Sequence, residues 1–167
     1  MVVVAMLGIL SSLSISAYNR HQAKARQAEP KLSLSSQYAL QKAFYSEYGA
    51  YIGSFDAIGY TPEGFKRFYA TGWAVCQNAG TITGYTGTIG TCWYGRQNVP
   101  ASWNTTVYGG GNYNQASFAG NNPLPADVDP QIFLLYSLGQ IRYGATEVDG
   151  WWIRETKRLE NYNNGLE

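Results

Sequence analysis

The first eighteen residues, MVVVAMLGILSSLSISAY, contain no charge, and the first strong charge is Arg20. Such a start is unusual for a soluble enzyme. As a helix the run would be roughly 27 Å long at about 1.5 Å per residue. A bilayer core needs about 30 Å, so the run is slightly short of a full span. Three readings compete. A secretory signal peptide lacks its basic n-region here. For a plain membrane anchor, Arg20, Lys24 and Arg26 would favour a cytoplasmic C-terminal side. The third reading is the upper part of an anchor whose first residues precede Met1. Gly8, Ser11, Ser12, Ser14 and Ser16 are small and would let neighbouring helices approach closely.

Behind the run the chain turns polar but keeps a helical rhythm through NRHQAKARQAEPKLSLSSQYALQKAFYSEYG. Leu34, Tyr38, Tyr45 and Tyr48 recur at helical spacing, and Leu40 and Phe44 widen the same face. Gln37, Gln41, Lys42 and Glu47 lie among or opposite them. This face is expected to form a core against a sheet, with Gly49 as a left-handed helix stop. Pro30 removes a backbone donor, so a bend is expected near Arg26–Pro30 if the helix runs through.

Over 167 residues, charged side chains make up only 14 % and aromatics 15 %, with 14 tyrosines and 19 glycines. That balance suggests a β-rich, loop-rich body facing the outside of a cell. A net charge of +1 gives no electrostatic case for nucleic acid or an anionic membrane as main partner. Two cysteines and one histidine argue against a structural zinc site and a His-dependent triad in the body.

Residues 51–64, YIGSFDAIGYTPEG, read as a connecting loop with a turn at Pro62–Gly64. A first strand is placed at Phe65–Val75. Residues 96–127 look loop-like. Gly109–Gly111 lacks the frame of a phosphate loop. Asn104-Thr105-Thr106 matches a glycosylation sequon, which is weak support for a sugar. Asp127 and Asp129 could take part in binding calcium, but with no further close ligands they read first as solvated loop acids. IFLLYSLGQIRYG is a dense apolar strand, and DGWWIRETKRLENYN reads as one further strand. In it Trp151, Trp152, Ile153 and Leu159 should divide between the helix-facing and outer sides of the sheet. No active site emerges: His21, Glu29, Glu47 and Glu63 stand isolated, and no cofactor is implied. The fold class is α+β, a long N-terminal helix over residues 1–49 packed on an antiparallel β-sheet body over residues 50–167.

MVVVAMLGILSSLSISAYNRHQAKARQAEPKLSLSSQYALQKAFYSEYGAY resembles the N-terminal helix of type IV pilins, in particular deltaproteobacterial major pilins. IGYTPEGFKRFYATGW and, more loosely, the Trp151–Trp152 strand resemble later parts of that family. The resemblance implies a basic leader ending in glycine and a glutamate, both lying before Met1, with cleavage by a prepilin peptidase and methylation. It departs from the family at Ser16, where a proline is usual. It implies a filament-core helix made by Val2, Val3, Val4, Met6, Leu7, Gly8, Ile9, Leu10, Leu13 and Ile15. The chain would reside in the inner membrane, then join a homopolymeric cell-surface pilus through the pilus assembly machinery. In an extracytoplasmic body, Cys76 and Cys92 would form a disulfide across a loop of about 15 residues, worth roughly 3 kcal/mol. Many pilins instead staple their C-terminal region. A minor pilin, a type II secretion pseudopilin, or a membrane-anchored module binding a glycan or surface are the alternatives.

Overall fold

The computed structural model describes residues 2–62, 67–73, 82–87, 91–94, 128–129, 131–139, 141 and 148–166. Two helices run in series, α1 (Val2–Arg26) and α2 (Ala28–Tyr48), followed by a single turn, α3 (Phe55–Ile58). Strands β1 (Tyr69–Gly72), β2 (Trp93–Tyr94), β3 (Val128–Asp129), β4 (Ile132–Gly139), β5 (Asp149–Arg154) and β6 (Leu159–Asn163) form one sheet. Its order is β2-β1-β4-β5-β6, with β3 paired to the start of β4. Every pairing is antiparallel. The architecture is α+β, a long N-terminal helix packed on an antiparallel sheet, and it is consistent with the pilin fold.

The helix is interrupted at Gln27, three residues before Pro30, which sits buried in the first turn of α2. The physical cause is the missing Pro30 N–H, which withdraws the donor that would have met the Arg26 carbonyl. At its other end α2 stops at Gly49, held at φ 70°, with the Gly49 N–H donating to the Tyr45 carbonyl at 2.8 Å. Glycine carries no Cβ, so this left-handed backbone costs it little.

The α2 face buries Leu34 and Phe44, and Tyr38, Leu40, Tyr45 and Tyr48 pack partly buried beside them. They meet Phe133, Leu135 and Ile153 of the sheet, together with Trp151 and Leu159. Trp152 points the other way and joins Ala70, Leu134, Tyr136 and Leu138 in a second apolar cluster. Both faces of β4 are therefore covered, which explains why IFLLYSLG is a continuous apolar run instead of an alternating one. Two glutamines share the helix face and are fully buried. The Gln41 side chain bonds both the carbonyl and the N–H of Ile52, serving as a short piece of extra strand. Thr71 Oγ1 lies 3.1 Å from Gln37 Oε1 and 3.0 Å from the Tyr136 carbonyl, tying α2 to β1 and β4. Gln41 is tolerable on such a face because both of its amide atoms find partners, whereas Gln37 is bonded through Oε1 while its buried Nε2 has no partner among the described residues.

Three segments differ from the reading of the sequence. The presumed loop at 51–64 contains α3 and is packed inward, with Tyr51, Ile52, Ser54, Phe55 and Ile58 buried. Ser54 caps α3 by accepting from the Ala57 N–H at 3.4 Å. Phe55 N–H donates to the Thr91 carbonyl at 2.6 Å, and the Phe55 ring lies 4.4 Å from Trp73. Glycine count alone suggested a loop, whereas the aromatic residues between the glycines drive this burial. The described first strand is Tyr69–Gly72, shorter than Phe65–Val75; residues 65, 66, 74 and 75 lie outside the described residues. The last stretch is two strands, because the chain turns back between Arg154 and Leu159. Lys157 takes φ 64° there, and its N–H donates to the Arg154 carbonyl at 2.9 Å.

Two glycines mark close approaches across the sheet. A Cβ on Gly139 would lie 2.6 Å from the Phe68 carbonyl oxygen and 2.8 Å from the Tyr69 ring. A Cβ on Gly150 would strike the ring of Tyr162, a side chain left 41 % exposed. Gly139→Ala is expected to destabilise by about 1–3 kcal/mol, since a strand carbonyl cannot step aside. Gly150→Ala should cost clearly less, since the Tyr162 ring can rotate outward. Chemical denaturation of both variants checks that ranking.

Candidate assembly surface

Among the described residues, α1 is left mostly uncovered. Among its described side chains only Ala23 is buried and Arg26 half-buried. Val2, Val3, Val4, Met6, Leu7, Ile9, Leu10 and Ile15 are each 59–71 % exposed. Gly8 is also exposed, and a Cβ added there would meet nothing within 4 Å. The side chain of Leu13 lies outside the described residues. His21 is exposed on the same helix, remote from any nucleophile in the sequence. Among the described residues no helix is long and apolar enough to cross a membrane.

The apolar rod is joined to the body through the last turn of α1 and the first turn of α2. Ala23 packs with Tyr69 and Ile141, with Phe68, Trp151 and Leu166 beside them. Arg26 donates to the Ile141 carbonyl at 2.6 Å and lies 4.6 Å from the centre of the Phe68 ring. Burial lowers the pKa of this guanidinium from its ordinary value, yet an arginine stays charged under all ordinary conditions. Gln27 Nε2 donates to Asp149 Oδ1 at 2.8 Å. Glu29 receives the N–H groups of Phe68 at 3.2 Å and Tyr69 at 3.1 Å, one on each oxygen. Lys31 Nζ lies 4.6 Å from the Trp151 ring. Consecutive short contacts of this kind fix a helix more firmly than an apolar face alone.

Asp149 is the centre of the junction and is fully buried. Its Oδ1 accepts from Gln27, from Asn161 Nδ2 at 3.0 Å and from the Gly165 N–H at 3.2 Å. Its Oδ2 accepts from the Tyr69 hydroxyl at 2.5 Å and the Trp151 indole N–H at 2.6 Å. Five donors from the helix junction, β1, β5, β6 and the C-terminal segment converge on one carboxyl group. A buried carboxylate without such donors would be strongly destabilising; here its lone pairs are filled. This role leaves no mark in the local sequence. Asp149 opens a strand, Gln27 looks like any solvated helix residue, and their separation of 122 positions hides the pairing.

Cys92 is buried and carries no free thiol, while Cys76 lies outside the described residues. Asp127, the sequon at Asn104 and the glycines 109–111 also lie outside them. Among the described residues no group of three or more His, Cys, Asp or Glu is arranged to hold a metal. A groove of about 710 Å³ runs between α2 and the Gly59–Pro62 segment, with Glu29, Ser33, Ser36 and Arg67 on its walls.

Burial raises the Glu29 pKa above its ordinary 4.5, more strongly than the two backbone N–H groups and Arg67 lower it. The unfolded chain therefore gives up this proton at a lower pH than the folded one. Between 4.5 and the raised folded value the native state binds more protons, so this group makes stability decline as pH rises. Above that window its contribution is flat. In Glu29→Gln that declining segment should vanish from a stability–pH curve measured by denaturant titration between pH 4 and 7.

No family model matches the chain. Over 68 residues it is 38 % identical to the type IV major pilin protein PilA of Myxococcus xanthus (strain DK1622), covering 41 % of this chain and 31 % of that protein. The matched part thus spans about a third of the relative's length. Over that stretch this chain, with its long N-terminal helix laid on an antiparallel sheet, is similar to a type IV major pilin.

Proposed function

We propose that the chain is the structural subunit of a type IV pilus filament, assembling through α1. The observation that supports this most is the apolar rod that stands exposed among the described residues. Patches of this size on a folded protein mark a surface that another partner covers. Burying each of the eight large side chains would contribute about 1 kcal/mol or more, giving on the order of 10 kcal/mol in total. Association itself costs an estimated 4–15 kcal/mol. The rod is therefore strong enough for assembly when several copies share it, and weak as a single contact. The small residues Gly8, Ser11 and Ser14 suit close helix approach in such a bundle.

On this reading α1 lies at the filament centre and the sheet body on the surface. The partner is further copies of the same chain. Residence in the inner membrane before assembly, the assembly machinery and a prepilin peptidase are proposed on the relationship to pilins. The outer surface would serve adhesion, motility or DNA uptake. A Cys76–Cys92 disulfide closing the Gly/Thr-rich loop belongs to the same proposal, as fits a body outside the cell.

Ile9→Asp should abolish filaments while leaving the body folded, since Ile9 is 65 % exposed in the single chain. Sheared-filament yield and far-ultraviolet dichroism check the two halves of that outcome. Filaments at normal yield would contradict the proposal. For the disulfide, a maleimide reagent without reductant should leave Cys76 and Cys92 unmodified in the folded protein; rapid double labelling would refute it.

A further inference from the structure

We propose that Asp149 and the C-terminal segment Asn164–Leu166 are positioning residues that fix the direction in which α1 leaves the body. The first observation is the interruption at Gln27. With Pro30 lacking an N–H, helix continuity alone does not hold α1 and α2 in line. Gln27 makes no side-chain cap on α2. Its amide instead reaches away from the helix to Asp149 Oδ1 at 2.8 Å and Asn164 Oδ1 at 3.4 Å.

The second observation is that the acceptor is rigid. Asp149 is fully buried and receives Tyr69, Trp151, Asn161 and Gly165 besides Gln27. Four of its five donors belong to the body, so the carboxylate is fixed before the helix engages it. The third observation is a strap. After β6 the chain runs back to the helix junction. Gly165 passes so close that a Cβ there would lie 3.0 Å from the Asp149 Cβ. The Leu166 N–H then donates to Asn164 Oδ1 at 3.3 Å, and Leu166 packs on the cluster containing Ala23. Ala23 is the buried residue among the described side chains of α1. The strap therefore holds the last turn of α1 by packing, and Asp149 holds the next residue by hydrogen bonding.

The consequence rests on reading α1 as the assembly helix. A lever of 25 residues, roughly 37 Å at 1.5 Å per residue, turns a small change at Gln27 into a large displacement at Val2. Fixing that angle sets how the bodies are disposed once the rods bundle.

The test reads the angle on the single full-length chain in detergent micelles. Spin labels go on His21→Cys of α1 and Arg158→Cys at the β5–β6 turn, both exposed sites. Distances are measured by pulsed electron resonance. The unaltered junction should give one narrow distance distribution. Gln27→Ala, and separately deletion of residues 164–167, should broaden it at least twofold. Gln27→Ala should keep the thermal midpoint within a few degrees, since the body retains Asp149 and its four remaining donors. A distribution that stays narrow and unmoved in Gln27→Ala overturns the proposal. So does broadening that appears only when the midpoint collapses, which would make the residue a plain contributor to stability. Because no filament is needed, this outcome is independent of the Ile9→Asp experiment.

Discussion

One helical track must satisfy two environments. The face of α2 meets the sheet of its own chain and is buried there, while the apolar rod of α1 stands exposed among the described residues. Under the proposed filament reading, apolar side chains exposed in that number are covered by further copies of the chain. The rest of the architecture follows from separating these demands. The sheet, α3 and the aromatic residues of α2 build a core to which, among the described residues, the apolar start of α1 contributes no side chain. Under the proposed filament reading, a chain that folded α1 back onto its body would satisfy the hydrophobic effect and lose the surface through which it polymerises.

The join between the two halves is polar. A purely apolar junction would be non-directional and would tolerate sliding by a helical turn. Directional bonds from Arg26, Gln27 and Glu29 to Ile141, Asp149, Phe68 and Tyr69 allow only one register. Burying the Asp149 carboxylate is costly in isolation, and five converging donors offset that cost. Its position at the meeting of the helix junction, β1, β5, β6 and the C-terminus makes it the point where local errors in any of these elements would be felt.

Much of the fold was legible because it is written in periodicity. Leu34, Phe44 and the tyrosines of α2 announce an amphipathic helix, Gly49 announces its end, and IFLLYSLG announces a buried strand. The parts that were misread depend on contacts distant in sequence or on special backbone. The segment around Phe55 looked like a loop because its glycines outweighed the three aromatic residues, Tyr51, Phe55 and Tyr60, that the core claims. The turn at Lys157 has a left-handed non-glycine residue, which no turn signature marks, so two strands read as one. Gln37, Gln41 and Asp149 are polar residues whose burial only the finished fold can explain. The apolar rod was visible from composition alone, while the polar junction that aims it was not.

The most direct measurement is an electron cryomicroscopy structure of filaments formed by this chain. The account predicts that Val2 to Ile15 of every copy face the filament axis, buried against the same segment of neighbouring copies, with the sheet bodies outside. Filaments whose cores are built from the sheet bodies, with α1 on the periphery, would contradict it.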